Sequence, residues 1–144
     1  MLLFLVWVAY SFDAGGAKEI NSLVSEGGGL NTRASRENDV ALFIKEQKLD
    51  QTCKIYTNFV EAVYFMGDMQ SSKTLSRKGY AALVSSSQKT GKPVIWPQEE
   101  KACLVWFDER INPGYIPAEE LKAIANVEAL AELKYGAVYS LAPK

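Results

Sequence analysis

Apolar positions along this chain follow two periods, and the places where the period changes mark its elements. Ala17, Ile20, Leu23 and Val24 form a stripe at helical spacing, stopped by Gly27-Gly28-Gly29. Residues 35–47 repeat the pattern. Val40, Phe43 and Ile44 make the buried side, Ser35 is the expected N-cap, and Glu37 and Asp39 suit the positive end. Then Cys53-Lys54-Ile55-Tyr56-Thr57 reads as a short strand that ends at Asn58, a residue able to cap the helix that follows. In that helix Ala62, Val63, Phe65 and Met66 supply the apolar side, and Gly67 is the expected stop.

The strand–turn–helix unit recurs more loosely downstream. Lys73-Thr74-Leu75 predicts a short strand, and residues 80–89 a helix with Ala81, Leu83 and Val84 inward, ended by Gly91. Pro93 and Pro97 bound the next apolar stretch and argue against a central strand there. Residues 102–107 form a continuous apolar run, as in a strand covered on both faces. A turn at Asn112-Pro113-Gly114 follows. Pro117 in a first helical position, with Glu119 and Glu120 behind it, opens a helix to about residue 125. Residues 127–133 and 137–141, flanking Lys134-Tyr135-Gly136, predict a closing hairpin. This order predicts a single α/β domain whose partly parallel β-sheet is flanked by helices and carries an antiparallel C-terminal hairpin. The strands at 54–57 and 103–107 are expected to run parallel.

With 144 residues, 48% apolar and 23% charged, the chain has the composition of one globular domain. Its net charge of −1 gives no footprint for nucleic acid. The absence of histidine excludes Ser-His-Asp and Cys-His catalysis, His general bases and HExxH zinc sites. Neither the glycine triplet nor Gly91-Lys92 has the frame of a phosphate-binding loop. No catalytic residues, metal ligands or cofactor are therefore assigned.

Cys53 and Cys103 lack CxxC spacing and lie beside apolar runs, so they read first as two small buried hydrophobes. A disulfide across neighbouring strands is the alternative in an oxidising compartment, and a catalytic thiolate the third. Residues 1–9 carry no charge, and Asp13 is the first acidic residue. The run is about half a membrane span, without the basic start of a secretory signal. It is a buried strand, a helix packed on the core, or the outer end of a transmembrane helix. The last is favoured, which divides the chain into an apolar segment at 1–16 and an α/β domain at 17–144.

Ile55-Tyr56-Thr57-Asn58 followed by Glu61-Ala62-Val63-Tyr64-Phe65 and Gly67 resembles a pattern in polytopic bacterial membrane glycosyltransferases. These are the dolichyl-phosphate-mannose-protein mannosyltransferase-like enzymes, which carry a soluble domain after their last transmembrane helix. Leu104-Val105-Trp106-Phe107, Tyr115-Ile116-Pro117 with Glu120-Leu121, and Gly136-Ala137-Val138-Tyr139 follow in the same order, with Arg33 and Arg36 upstream. The resemblance implies a tail domain on the extracytoplasmic face of a membrane, with the chemistry residing elsewhere in a longer protein. If residues 1–16 are the end of a membrane helix, their exposed apolar surface is expected to be covered by the membrane or by a second copy of the same segment.

Ligands of open α/β sheets bind at the carboxyl ends of strands. Asn58, Asp108 and Arg110 fall there, with Tyr64 and Tyr115 as neighbours, and Trp96 between its prolines is the indole expected to be exposed for stacking on a sugar. Each has a plainer reading: Asn58 as a helix cap, Asp108 and Arg110 as a solvated turn. Trp106, inside an apolar run, is expected in the core. The pairs Glu99-Glu100 and Glu119-Glu120 do not make a glycosidase dyad without a geometry that sequence does not supply. Two functions stay open: a non-catalytic domain of a membrane glycosyltransferase-like protein, or a free-standing, cytoplasmic α/β protein that binds a small ligand or another protein.

Overall fold

Asn38 starts the first helix, α1 (Asp39–Glu46), by accepting from the backbone N–H of Val40 at 3.0 Å and of Ala41 at 3.3 Å. In this computed structural model, residues 37–108 and 113–144 are described, and Asn38–Lys144 form one compact unit. The expectations for the apolar segment at 1–16, the helix at 17–24, Ser35, Arg33, Arg36 and Arg110 lie outside the described residues. Within them Asn38, buried and directly before the acidic Asp39, is the cap.

A 3-10 turn (Leu49–Gln51) leads from α1 into β1 (Lys54–Thr57), and α2 (Val60–Gly67) follows. Gly67 is the last helical residue, and the left-handed stop falls on Asp68 at φ 57°. The glycine serves packing. A Cβ there would come within 2.8 Å of Ile44 Cδ1, so its absence lets α2 approach α1. The short β2 (Ser72–Lys73) comes next, then α3 (Arg77–Thr90), which begins three residues before the expected Tyr80 because Ser76 Oγ caps Gly79 N–H at 3.0 Å. Gly91 ends α3 at φ 67° as expected. No residue of α3 is fully buried, and Ala81 is exposed; only Tyr80 and Leu83 lean on the core.

β3 (Ala102–Phe107) is buried at every position except the half-buried Trp106. After it α4 (Ala118–Leu121) is a single turn, with Pro117 as its N-cap rather than its first residue. The helix stops there because β4 (Ala125–Leu133) already begins at the fully buried Ala125, and β5 (Gly136–Pro143) closes the chain.

The sheet has the order β2-β1-β3-β5-β4. β2, β1 and β3 are mutually parallel, with Ile55 opposite Cys103 and Thr57 opposite Val105. β5 runs antiparallel to both β3 and β4. Residues 38–144 thus form a single α/β domain with a mixed sheet and an antiparallel C-terminal hairpin. Side chains alternate between two core layers, as the pleat requires. Ile55, Cys103, Val105, Phe107 and Val138 face Val40, Ile44, Ala62 and Val63 of α1 and α2. Ala102, Leu104 and Leu141 face Leu75, Trp96, Ile116, Ala118 and Leu121 on the other side.

On the edge strand β4, Ala129 pairs with Tyr139 and Ala131 with Val138, which leaves Leu130 as the extra residue of a bulge, half exposed. The bulge reverses the phase of the strand, so Val127 leans on one core layer and Leu133 on the other. The hairpin turn is tied to α1 by Asp39, whose carboxylate accepts from the N–H of Lys134 at 2.6 Å and of Tyr135 at 3.3 Å.

Candidate functional site

β1 and β3 are parallel neighbours whose connections pass to opposite faces. β1 continues into α2, which packs on one core layer, while β3 is followed by α4, which packs on the other. In open α/β sheets such a carboxyl end is where ligands are expected. Asn58 stands at this end, directly after β1. Its Nδ2 donates to Phe107 O at 2.8 Å, and its Oδ1 accepts from Phe107 N–H at 2.9 Å. The side-chain amide therefore imitates one more rung of the β1–β3 ladder. The expected helix cap is replaced by this bridge: the N-cap of α2 is Phe59, which has no side-chain capping bond, and Phe59 N–H donates to Thr57 Oγ1 at 3.1 Å. The cause is register. Thr57 is the last β1 residue paired with β3, opposite Val105, so Asn58 follows where the ladder ends and Phe107 lies further along β3.

Asp108 reaches the same end, exposed, with its N–H donating to Tyr135 O at 3.0 Å. The remaining candidates disperse. Tyr64 is 57% exposed on α2 and packs edge-on against Phe65, with ring centroids 5.2 Å apart. Tyr115 is half-buried and bridges antiparallel to Ser76 at the start of α3. Trp96, expected at the surface, is only 8% exposed and packs against Tyr56 at 5.3 Å in the second core layer. Trp106, expected in the core, is the more exposed of these two indoles. The two prolines keep residues 93–97 out of the sheet but do not keep the apolar indole out of the core.

The phenol that packs on Trp96 is itself electrostatically perturbed. Tyr56 OH donates to Glu99 Oε2 at 2.8 Å, and its pKa is pushed up to about 12, first by burial and then by the hydrogen bond to, and the charge of, Glu99. At the surface Arg77 forms a two-pronged pair with Glu120 at 2.8 and 2.9 Å and donates from Nε to Pro113 O. The pairing raises the Arg77 pKa and lowers that of Glu120. Among the described residues no group of His, Cys, Asp and Glu is arranged to hold a metal ion.

At the opposite, amino end of the two strands, Cys53 and Cys103 form a disulfide with a Cα–Cα distance of 5.8 Å. This overturns the reading of two buried thiols. Cys53 stands one residue before β1 and Cys103 is the second residue of β3, so parallel pairing makes them diagonal neighbours. The signal in the sequence is that each cysteine stands at the start of one of two strands expected to run parallel. Two open clefts flank the bridge. One, of about 490 Å³, is lined by Cys53, Cys103, Lys101, Asn126, Glu128 and Ser140 among others, and the second, of about 680 Å³, by Asp50, Cys53, Lys54, Asp68, Glu99 and Lys101 among others.

Among the described residues no helix is long and apolar enough to cross a membrane. Compared with protein-family models, curated proteins and solved structures, the chain matches none of them.

Proposed function

We propose that this chain is a non-catalytic, extracytoplasmic domain of, or derived from, a membrane glycosyltransferase-like protein, where it positions substrate or a partner beside the membrane. The Cys53–Cys103 disulfide carries the reading, because such bridges persist in oxidising compartments and are rare in reducing ones. The strand–turn–helix unit at 54–67, followed in order by β3, α4 and β5, supports the resemblance noted in the sequence. On this reading residues 1–16 lie at the membrane. The bridge between Asn58 and Phe107 then fixes the shape of the end at which a substrate or partner is presented.

Protease treatment of intact spheroplasts of the host cell tests the proposal. A C-terminally tagged chain is expected in the membrane fraction and is digested without lysis. A chain recovered with the cytosol and digested only after lysis contradicts it. The two open clefts beside the disulfide favour a second reading, a free-standing α/β protein that binds a small ligand. A gene whose reading frame continues upstream of Met1 through several hydrophobic spans would exclude that alternative.

A further inference from the structure

The disulfide has two chemically unequal sulfurs, and the inequality follows from where the strands begin. Cys103 lies inside β3, paired on one side with Ile55 and on the other with Ser140, and is only 5% exposed. Cys53 precedes β1, is half-buried, and follows the 3-10 turn. Both clefts reach Cys53, and one of them reaches Cys103. Around Cys53 the polar neighbours are the Leu49 carbonyl, 3.3 Å from its Sγ, and the Thr52 hydroxyl, 3.9 Å from it. Asp50, Lys54, Asp68, Glu99 and Lys101 mix both signs around the second cleft, so access rather than net charge decides where an attacking thiolate arrives.

We infer that Cys53 is the sulfur at which an external thiol opens this bridge, which makes Cys53 a site of reversible S-thiolation. In the step, the sulfur of a small monothiolate bonds to Cys53 Sγ as the Cys53–Cys103 bond breaks, and its electron pair leaves on Cys103 as a thiolate, which takes a proton from solvent. A second equivalent of monothiolate attacks the mixed disulfide, forming the symmetrical disulfide of the small thiol and releasing Cys53. The sheet holds through the opening, because β3 keeps its pairing with β1 over Ala102–Val105 and with β5 over Ala102–Phe107. The freed Cys53 thiol has the Leu49 carbonyl within reach as an acceptor.

The test treats the native, oxidised chain with limiting reduced glutathione, quenches in acid and maps the adduct by peptide mass spectrometry. Glutathione on Cys53, with Cys103 as the free thiol, is expected. Glutathione on Cys103, or no mixed disulfide unless denaturant is added, overturns the inference. Single-cysteine variants give an independent reading: the thiol of Cys103→Ser is expected to react with a disulfide reagent roughly tenfold or more faster than that of Cys53→Ser, following exposure. If Cys103 in a Cys53→Ser chain whose circular dichroism is native reacts as fast, the inference fails.

Discussion

Asn58 holds both the carbonyl and the N–H of Phe107 through one side-chain amide, at 2.8 and 2.9 Å, and so welds the ends of two parallel strands whose chains then diverge to opposite faces of the sheet. Both backbone groups belong to a residue only 3% exposed, and Asn58 itself is 9% exposed. Only an amide of this length offers a donor and an acceptor side by side.

Replacing Asn58 by Ala strands the two Phe107 groups and is expected to cost about 2–4 kcal/mol by urea unfolding. Asn58→Asp keeps the acceptor, loses the donor and sets a carboxylate against the Phe107 carbonyl, so it is expected to cost at least as much near neutral pH and less in acid. An Asn58→Asp chain as stable as the parent at pH 7 would show that the bridge is not what holds this end.

Tyr56 contributes to the pH dependence on the alkaline side. Its folded pKa of about 12 stands above the ordinary value of 10.0. Between those values the unfolded chain has released the phenolic proton while the folded chain retains it, so stability is fully present below about pH 10 and falls as pH rises towards about 12. Tyr56→Phe is expected to flatten that part of the pH profile of unfolding. An unchanged alkaline slope would assign the loss to other groups.

Two glycines make a paired comparison. A Cβ on Gly136 would stand 1.9 Å from the Trp106 carbonyl oxygen, which is backbone in the middle of the sheet, whereas on Gly67 it would meet the side-chain end of Ile44 at 2.8 Å. Backbone cannot yield without breaking the β3–β5 ladder, while Ile44 can shift and the helix gains up to about 1 kcal/mol from alanine. Gly136→Ala is expected to lose about 3 kcal/mol or more, and Gly67→Ala no more than about 2 kcal/mol. Thermal denaturation of the two variants ranks them, and the reverse order would contradict the packing described.

The architecture was legible because its strands are short apolar runs separated by glycine, proline and capping residues. β1, β3 and the hairpin of β4 and β5 lie within a few residues of where the periodicity puts them, and β1 and β3 are parallel as expected. What failed needed three-dimensional knowledge. Asn58 looks like a cap until Phe107 is known to lie across from it. Trp96 looks exposed between prolines until the open side of Tyr56 is seen to receive it. Gly67 looks like a helix stop until Ile44 is found against it. Of the candidate residues Asn58, Asp108, Tyr64, Trp96 and Tyr115, only the first two share an end of the sheet. Chain order does not say on which face a connecting segment packs.

The disulfide closes a separation of 50 residues. In the chain-entropy account this constrains the unfolded state by about 4 kcal/mol, so Cys53→Ser with Cys103→Ser is expected to lower stability by about 2–4 kcal/mol without changing the sheet. A double variant as stable as the parent in non-reducing buffer would mean that the bridge adds nothing to the fold.

The redox state of these two cysteines in the living host tests the central claim most directly. Cells are quenched in acid so that thiols cannot exchange, and the denatured lysate is reacted with a maleimide polymer before and after reduction. The extracytoplasmic reading predicts no mass shift before reduction and two additions after it. Two additions before reduction would place the chain in a reducing compartment and contradict the reading.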